Sequence, residues 1–96
     1  MARNGFIDLL KELNAEIGDK FKAQVKGIFG SYARGQQETG SDLDVVVEFK
    51  SAATLLDFVG LGLYLEEKLG VPVDVVPIDA IKVDLKEGIL RETIPV

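Results

Sequence analysis

The sequence lacks the two side chains that most often do chemistry in proteins. Its 96 residues include no cysteine and no histidine. Without cysteine, neither disulfide bonds nor thiol chemistry can hold the fold or act in catalysis. Without histidine, the commonest general base and zinc ligand is missing. Any chemistry therefore falls to carboxylates and to metals that prefer oxygen ligands.

The chain is also short of positive charge. Eleven lysines and arginines stand against sixteen aspartates and glutamates, which gives a net charge of -5. Nucleic-acid backbones attract clustered basic residues, so this balance argues against a nucleic-acid partner. No apolar run approaches the roughly 20 residues of a membrane span, and Met1 to Gly5 lack the apolar core of a signal peptide. We therefore expect a cytoplasmic protein with no membrane partner.

The length and the periodicity of apolar residues predict one globular domain of mixed helices and strands. Val25 and Phe29 are expected to share a face of the first strand. Gly18 and Gly70 are expected to end the two long helices in left-handed conformation. The predicted elements are a helix over 6–17, strands over 24–29 and 41–49, a helix over 53–69, a strand over 71–78 placed at a sheet edge by its prolines, and a short helix capped by Asp84 and Glu87.

The predicted helix over 53–69 is more apolar than a surface helix of a monomer needs to be. Its glycines, Gly60 and Gly62, would permit close packing. Two interpretations stay open: a helix wedged between the sheet and a neighbouring helix, or a face that binds a partner or a second copy of the chain. Two apolar stripes run along it, one of Leu55, Leu56, Val59 and Leu63 and one of Phe58, Leu61, Leu65 and Leu69.

Acidic residues interrupt two strands that are otherwise apolar. Asp42 and Asp44 stand on either side of Leu43, and the two-residue period of a strand places both on one face, about 7 Å apart. Asp74 lies in the middle of the third strand. A carboxylate buried there is costly unless it is paired, hydrogen-bonded or bound to metal, so Asp74 either belongs to a site or faces solvent at a sheet edge.

A Gly-Ser pair follows the first strand and precedes Asp42 by ten residues. Gly30 lets another group approach the backbone closely. Ser31 begins a helical turn whose N–H groups, hydroxyl and dipole suit a triphosphate. The spacing of Gly35 and Gly40 matches a Walker A loop, but Ser41 and Asp42 stand where that loop requires Lys and then Ser or Thr, which excludes it.

These residues together resemble the polymerase beta-like nucleotidyltransferase superfamily, at the spacing of its minimal nucleotidyltransferases. Those proteins are the antitoxin partners of HEPN-domain ribonuclease toxins. The sequence departs from the family pattern at Gln37, where a small residue such as alanine is common. The matching residues are Gly30-Ser31, Ala33-Arg34-Gly35, Ser41, Asp42-Leu43-Asp44 and Asp74.

The resemblance implies an α/β fold, a small mixed sheet with helices packed on it, like the palm of polymerase beta. Residues 1–96 would form a single nucleotidyltransferase domain. It also implies that ATP is the substrate and that Mg²⁺, as two ions, is the cofactor. Asp42, Asp44 and Asp74 would be the catalytic and metal-binding acids, and Asp74 would also help to activate the attacking hydroxyl.

The resemblance further implies that Gly30 and Ser31 bind the triphosphate. Arg34 is a further candidate for contact with phosphate, or else it pairs with Glu38 or with a helix C-terminus. Members of the family transfer adenylate from ATP to a tyrosine of the HEPN toxin and so silence it. Two alternatives stay open: an antitoxin that neutralises by binding alone, and transfer to RNA or to a small molecule. The scarcity of basic residues speaks against RNA.

Overall fold

The chain folds into a four-stranded mixed sheet with helices packed on it, which confirms the predicted α/β class. The computed structural model describes residues 3–96, so the expectation for Met1 and Ala2 lies outside it. The elements are α1 (Arg3–Phe21), β1 (Ala23–Phe29), α2 (Gly30–Arg34), β2 (Leu43–Phe49), α3 (Leu55–Leu69), β3 (Val73–Pro77), a 3-10 turn (Ile78–Ala80), α4 (Val83–Glu92) and β4 (Ile94–Pro95).

The strands lie in the order β3-β2-β1-β4. β1 is antiparallel to β2 and to β4, whereas β2 and β3 are parallel. β3 therefore lies at an edge of the sheet, as its prolines predicted. No sequence pattern indicated β4, because a two-residue strand containing a proline is too short to show any alternation of apolar and polar residues.

The hydrophobic core lies between one face of the sheet and the helices α1 and α3. Alternate residues of β2 point into it, as the two-residue period predicts. Burial of each such side chain contributes roughly 1.5–3 kcal/mol. The largest fully buried side chains in this core include Phe6, Leu10, Ile17, Val25, Ile28, Leu43, Val45, Val47, Leu61 and Leu65.

A β-bulge in β1 overturns the expectation that Val25 and Phe29 share a face. The register with β2 shifts between Val25 and Gly27, so Val25 lies opposite Val47 on the core side while Phe29 lies opposite Asp44. The side chain of Asn14 in α1 bonds to both backbone groups of Val25, at 2.9 Å to its N–H and 3.0 Å to its carbonyl. Asn14 thus satisfies the backbone where the ladder is irregular.

Two of the predicted capping residues, Gly18 and Asp84, are wrong, and both errors have a packing or backbone cause. α1 continues through Gly18 to Phe21 because Phe21 packs against Tyr64 with ring centroids 5.2 Å apart, which outweighs a cost of about 1 kcal/mol for the internal glycine. The left-handed residue is Lys22, with φ 54°. α4 begins after Lys82, without a side-chain cap, so Asp84 lies inside the first turn and does not cap it.

The predicted end of α3 at Gly70 is confirmed, since Gly70 has φ 72° and its N–H donates to the Glu66 carbonyl. The helix begins at Leu55 and not at residue 53, because Thr54 and Asp57 form a capping box. No helix in residues 3–96 has both the length and the apolar character to cross a lipid bilayer.

The two apolar stripes of α3 have different surroundings. Leu61, Leu65 and Leu69 are buried in the core, and Phe58 is partly buried against it. A Cβ at Gly60 would lie 3.0 Å from the Phe21 ring, so this glycine does permit close packing. The other stripe, which we call the outer stripe, is exposed: Leu55 75%, Leu56 83%, Val59 49% and Leu63 65%.

Candidate active site

Two of the three predicted acids lie side by side on neighbouring strands. Asp44 of β2 is the register partner of Asp74 of β3, and such in-register neighbours point to the same face of a sheet. Because Leu43 and Val45 point into the core, the two carboxylates lie on the opposite face. Asp74 is exposed at the sheet edge, whereas Asp44 is half-buried.

The electrostatics of Asp44 differ from those of a surface carboxylate. Burial, together with the nearby charges of Asp74 and Asp42, raises the pKa of the Asp44 carboxyl to about 6. The Arg34 guanidinium opposes this shift and is the weakest of the five influences. Crowded negative charge of this kind is what a bound cation relieves.

Asp42 lies farther from the acid pair than predicted, because it is not part of β2. β2 begins at Leu43 and not at Ser41, so Asp42 lies in the segment just before the strand and is exposed. Its charge reaches Asp44, but across residues 3–96 no three potential metal ligands gather closely enough to hold an ion. The structure thus brings Asp44 and Asp74 together and leaves Asp42 at the margin.

Gly30 packs directly against the Asp44 carboxylate. Phe29 is the register partner of Asp44, so the turn after β1 emerges beside this acid. Gly30 has φ +75°, and a Cβ placed on it would overlap Asp44 Oδ2. The predicted close approach to Gly30 is confirmed, and the approaching group is the central acid of the site.

Ser31 lies in the first turn of α2, as the sequence predicted, and is half-buried. The short helix α2 packs against α1, where Tyr32 meets Phe6 edge-on with ring centroids 5.5 Å apart. Arg3 donates from Nη1 to the Ala33 carbonyl at 2.8 Å. These two contacts with α1 fix the position of the Gly-Ser turn beside Asp44.

Arg34 is held by Glu92, the last residue of α4, and not by Glu38. The Arg34 guanidinium forms an ion pair with Glu92 Oε1 and donates from Nε to Gln36 Oε1 at 3.1 Å. The Gly30 N–H donates to the same Glu92 oxygen at 2.9 Å. Sequence reasoning missed Glu92, since a glutamate near the end of a polar helix carries no pattern that distinguishes it.

Replacing Glu92 with alanine should destabilise the protein by about 1–2 kcal/mol, chiefly because the buried Gly30 N–H loses its acceptor. The half-exposed ion pair with Arg34 contributes little to this loss. Glu92→Gln keeps an oxygen for Gly30 and should lose less. Urea denaturation of the three proteins measures the difference, and equal midpoints for Glu92→Ala and wild type would contradict it.

The residues present fit a magnesium ion in their chemistry. The candidate ligands are Asp42, Asp44 and Asp74, which offer carboxylate oxygens alone, the donors that Mg²⁺ prefers. The raised pKa of Asp44 and its register pairing with Asp74 show negative charge concentrated on one side of the sheet. A cation there would neutralise charge that the protein itself leaves uncompensated.

Comparison with known proteins shows which family the chain resembles. The model of a family described as a nucleotidyltransferase domain matches residues 10–96 of the chain. The protein adenylyltransferase MntA of Thermococcus cleftensis is 38% identical to it over 79 residues, which are 82% of this chain and 80% of that protein.

Solved structures share the whole architecture. One assigned to the minimal nucleotidyltransferases superposes with a TM-score of 0.84 at 36% identity, over 100% of this chain and 97% of that one. A toxin–antitoxin structure with AMP-PNP superposes with a TM-score of 0.70 at 25% identity, over 99% of this chain and 72% of that one. The sheet that carries Asp44 and Asp74 is thus shared with proteins of both descriptions.

Proposed function

The chain belongs to the nucleotidyltransferase domain family, and from this we propose that it transfers adenylate from ATP to a tyrosine of a HEPN-family toxin, acting as its antitoxin. Its nucleotidyltransferase activity and its resemblance to the minimal nucleotidyltransferases, both predicted from the sequence, are confirmed. In this proposal residues 1–96 act as one domain, located in the cytoplasm.

The observation that carries the proposal is the contact between the Gly-Ser turn and the paired acids. Gly30 lies against Asp44, and Asp44 is in register with Asp74. A triphosphate bound at Gly30 and Ser31 would therefore place its α-phosphate beside both carboxylates. Two separate sequence motifs converge here in the way that phosphoryl-type transfer requires, with the phosphate and the acids in adjoining positions.

The residues have distinct roles in the transfer. The tyrosine hydroxyl oxygen forms a bond to the α-phosphorus of ATP, and the bond from that phosphorus to the oxygen bridging to the β-phosphate breaks. Pyrophosphate leaves with that oxygen. Asp74, at the exposed edge, orients the hydroxyl and accepts its proton, while Gly30 and Ser31 hold the triphosphate tail.

Magnesium would be held by Asp44 and Asp74, and Asp42 would have to move toward them to join as the third ligand. Two ions are expected, and when bound they would neutralise charge on the triphosphate. Two similar proteins support ATP as the substrate, since MntA is a protein adenylyltransferase and a similar toxin–antitoxin structure contains AMP-PNP. Arg34 stays a candidate for contact with phosphate. To make that contact its guanidinium would have to share or leave Glu92.

Incubation with α-labelled ATP, MgCl₂ and the purified product of the neighbouring gene should transfer label to that protein, and mass spectrometry should find the added adenylate on a tyrosine. Omitting MgCl₂, or replacing the acceptor tyrosine with phenylalanine, should remove the label. A well-folded protein that leaves its neighbour unlabelled would refute the proposal. If label from ATP appears instead on RNA or on a small molecule added to the same assay, that compound is the acceptor.

A non-catalytic antitoxin is the second candidate, favoured by the exposed outer stripe of α3. The double variant Asp42→Asn, Asp44→Asn separates the two. Under the adenylation proposal it loses neutralisation of the toxin in growing cells together with transfer. If the variant still binds and fully neutralises the toxin, binding alone is sufficient and transfer is secondary.

A further inference from the structure

We propose that the acceptor protein docks in a groove between α3 and the outer edge of β3, which brings its tyrosine to Asp74. This inference rests on the proposed function for the identity of the acceptor residue and adds the surface that recognises it. The occupant is a segment of another protein with apolar side chains, an accessible tyrosine and flanking basic residues.

The groove continues the outer stripe of α3. It has a volume of about 320 Å³ and is bounded by Val59, Gly62 and Leu63 of α3 and by Val73 and Val75 of β3. Its walls are thus largely apolar, and the outer stripe extends the apolar surface along the helix toward Leu55. A contiguous exposed apolar surface on a small charged domain is typical of an interaction site.

The position of the groove relative to the acids indicates that it binds the acceptor protein. Gly30 follows the end of β1, Asp44 lies on β2, and Asp74 lies on β3, at successive positions across the sheet. Asp74 lines the groove at the outer edge of β3. Its carboxylate lies on the face of the sheet away from α3, so a segment held in the groove reaches it by passing around that exposed edge. In-line transfer requires the attacking oxygen and the leaving group on opposite sides of the phosphorus. With the triphosphate tail on the β1 side, the acceptor arrives from the β3 edge, where the groove lies.

The charge of the groove indicates a basic occupant. Its charged lining residues, Glu66 and Asp74, are both acidic, and the whole chain carries a net charge of -5. Glu66 also accepts a hydrogen bond from the Val73 N–H at 3.0 Å, which fixes its carboxylate at the rim. Complementary charge selects partners and speeds association, so basic residues beside the acceptor tyrosine match this rim.

A second copy of this chain does not match the groove. The chain has two tyrosines: Tyr32 is only 8% exposed, and the Tyr64 hydroxyl is buried. Neither can reach a neighbouring active site. A second copy would also bring net negative charge to an acidic rim. The occupant is therefore a different protein, and self-association becomes an outcome of the test.

Three single variants test the groove. Leu63→Glu puts a charge on its wall at a position already 65% exposed. Gly62→Ala adds a methyl group at its floor, where a Cβ would lie 3.9 Å from Val75 Cγ2, an ordinary contact. Leu85→Glu on α4 is the matched control, because Leu85 is 55% exposed and does not line the groove.

The probe is the purified product of the neighbouring gene, with its Kd measured by calorimetry without nucleotide and its KM measured with MgATP. We expect Leu63→Glu to raise both by about tenfold, the size of a moderate interface hot spot. Gly62→Ala should raise the Kd several-fold while raising Tm, since alanine is the better helix former. Leu85→Glu should match wild type, and the Tm shift caused by AMP-PNP should be unchanged in all three.

An unchanged Kd for Leu63→Glu would overturn the proposal, as would an equal loss in Leu85→Glu or a wild-type protein that does not bind the probe. Sedimentation that shows a wild-type dimer abolished by Leu63→Glu would assign the groove to a second copy instead. If the groove variants weaken binding but wild type transfers no adenylate, the docking surface stands and the proposed function falls.

Discussion

Asp44→Asn should strongly reduce adenylate transfer and, without metal, make the protein more stable. Asp44 is the acid shared by the Gly-Ser turn and the acid pair, in contact with Gly30 and in register with Asp74. The amide cannot provide the charge that holds a cation at the α-phosphate. We expect kcat/KM to fall by on the order of 10³-fold, the effect of removing a group that stabilises charge in a transition state.

The gain in stability follows from the raised pKa of Asp44. Its pKa is about 6 in the folded protein and 3.8 in the reference state, so the folded state binds the proton more tightly. The free energy of unfolding should therefore fall as pH rises from about 4 to about 6. The Asp44→Asn substitution removes that dependence, and at pH 8 the variant should be more stable by on the order of 1 kcal/mol, allowing for the partial exposure of the group.

Steady-state kinetics and urea denaturation at pH 4.5 and pH 8 measure both effects. Glu48→Gln is the matched control, because Glu48 is an exposed acid on the same strand. It should leave transfer and the pH dependence unchanged. An active Asp44→Asn variant would remove Asp44 from the reaction. A variant less stable than wild type at pH 8 would show that the carboxylate stabilises the fold.

Gly30→Ala should cost both stability and activity. Its Cβ would overlap Asp44 Oδ2, and φ is +75°, so the methyl group meets the carboxylate in a conformation that side chains disfavour. We expect destabilisation by roughly 2–4 kcal/mol. Transfer should fall by about 10²-fold or more, since displacement of a reacting group by about 1 Å has an effect of that size.

Gly70→Ala isolates the contribution of the backbone conformation. Gly70 has φ +72°, and nothing lies within 4 Å of the position of its Cβ. This control should lose about 1–2 kcal/mol and keep its activity. Thermal unfolding and single-turnover transfer compare the variants. Equal losses of stability and equal activity in Gly30→Ala and Gly70→Ala would show that the contact with Asp44 has no effect on the site.

The sequence was informative where a local rule applies. Apolar alternation identified β2 and its buried face, and glycine at position 30 predicted a close approach whose partner is Asp44. Asp74 stood out because a carboxylate in an apolar strand needs a reason. Its pairing with Asp44 depends on how two strands meet and could be expected only from the resemblance.

Contacts between residues far apart in the sequence could not be predicted, because no local sequence rule describes them. Glu92 bonds to Gly30 across 62 residues, and Asn14 bonds to Val25 across the first turn between helix and strand. Both are polar residues in helices, where most polar residues face solvent. Gly18 and Asp84 matched local capping signals but were overruled, the first by packing of Phe21 and the second by an earlier start of α4.

The bulge in β1 determines which residue meets the acid. Without the extra residue, regular pairing from Val25 and Val47 would place Ile28, rather than Phe29, opposite Asp44. An isoleucine that now fills the core would then lie on the face that carries Asp44 and Asp74, and Gly30 would be displaced by one residue from its position beside Asp44. The Asn14 side chain on α1 bonds to the backbone at this irregular pairing, so a helix residue far from the Gly-Ser turn helps to set the position of that turn relative to Asp44.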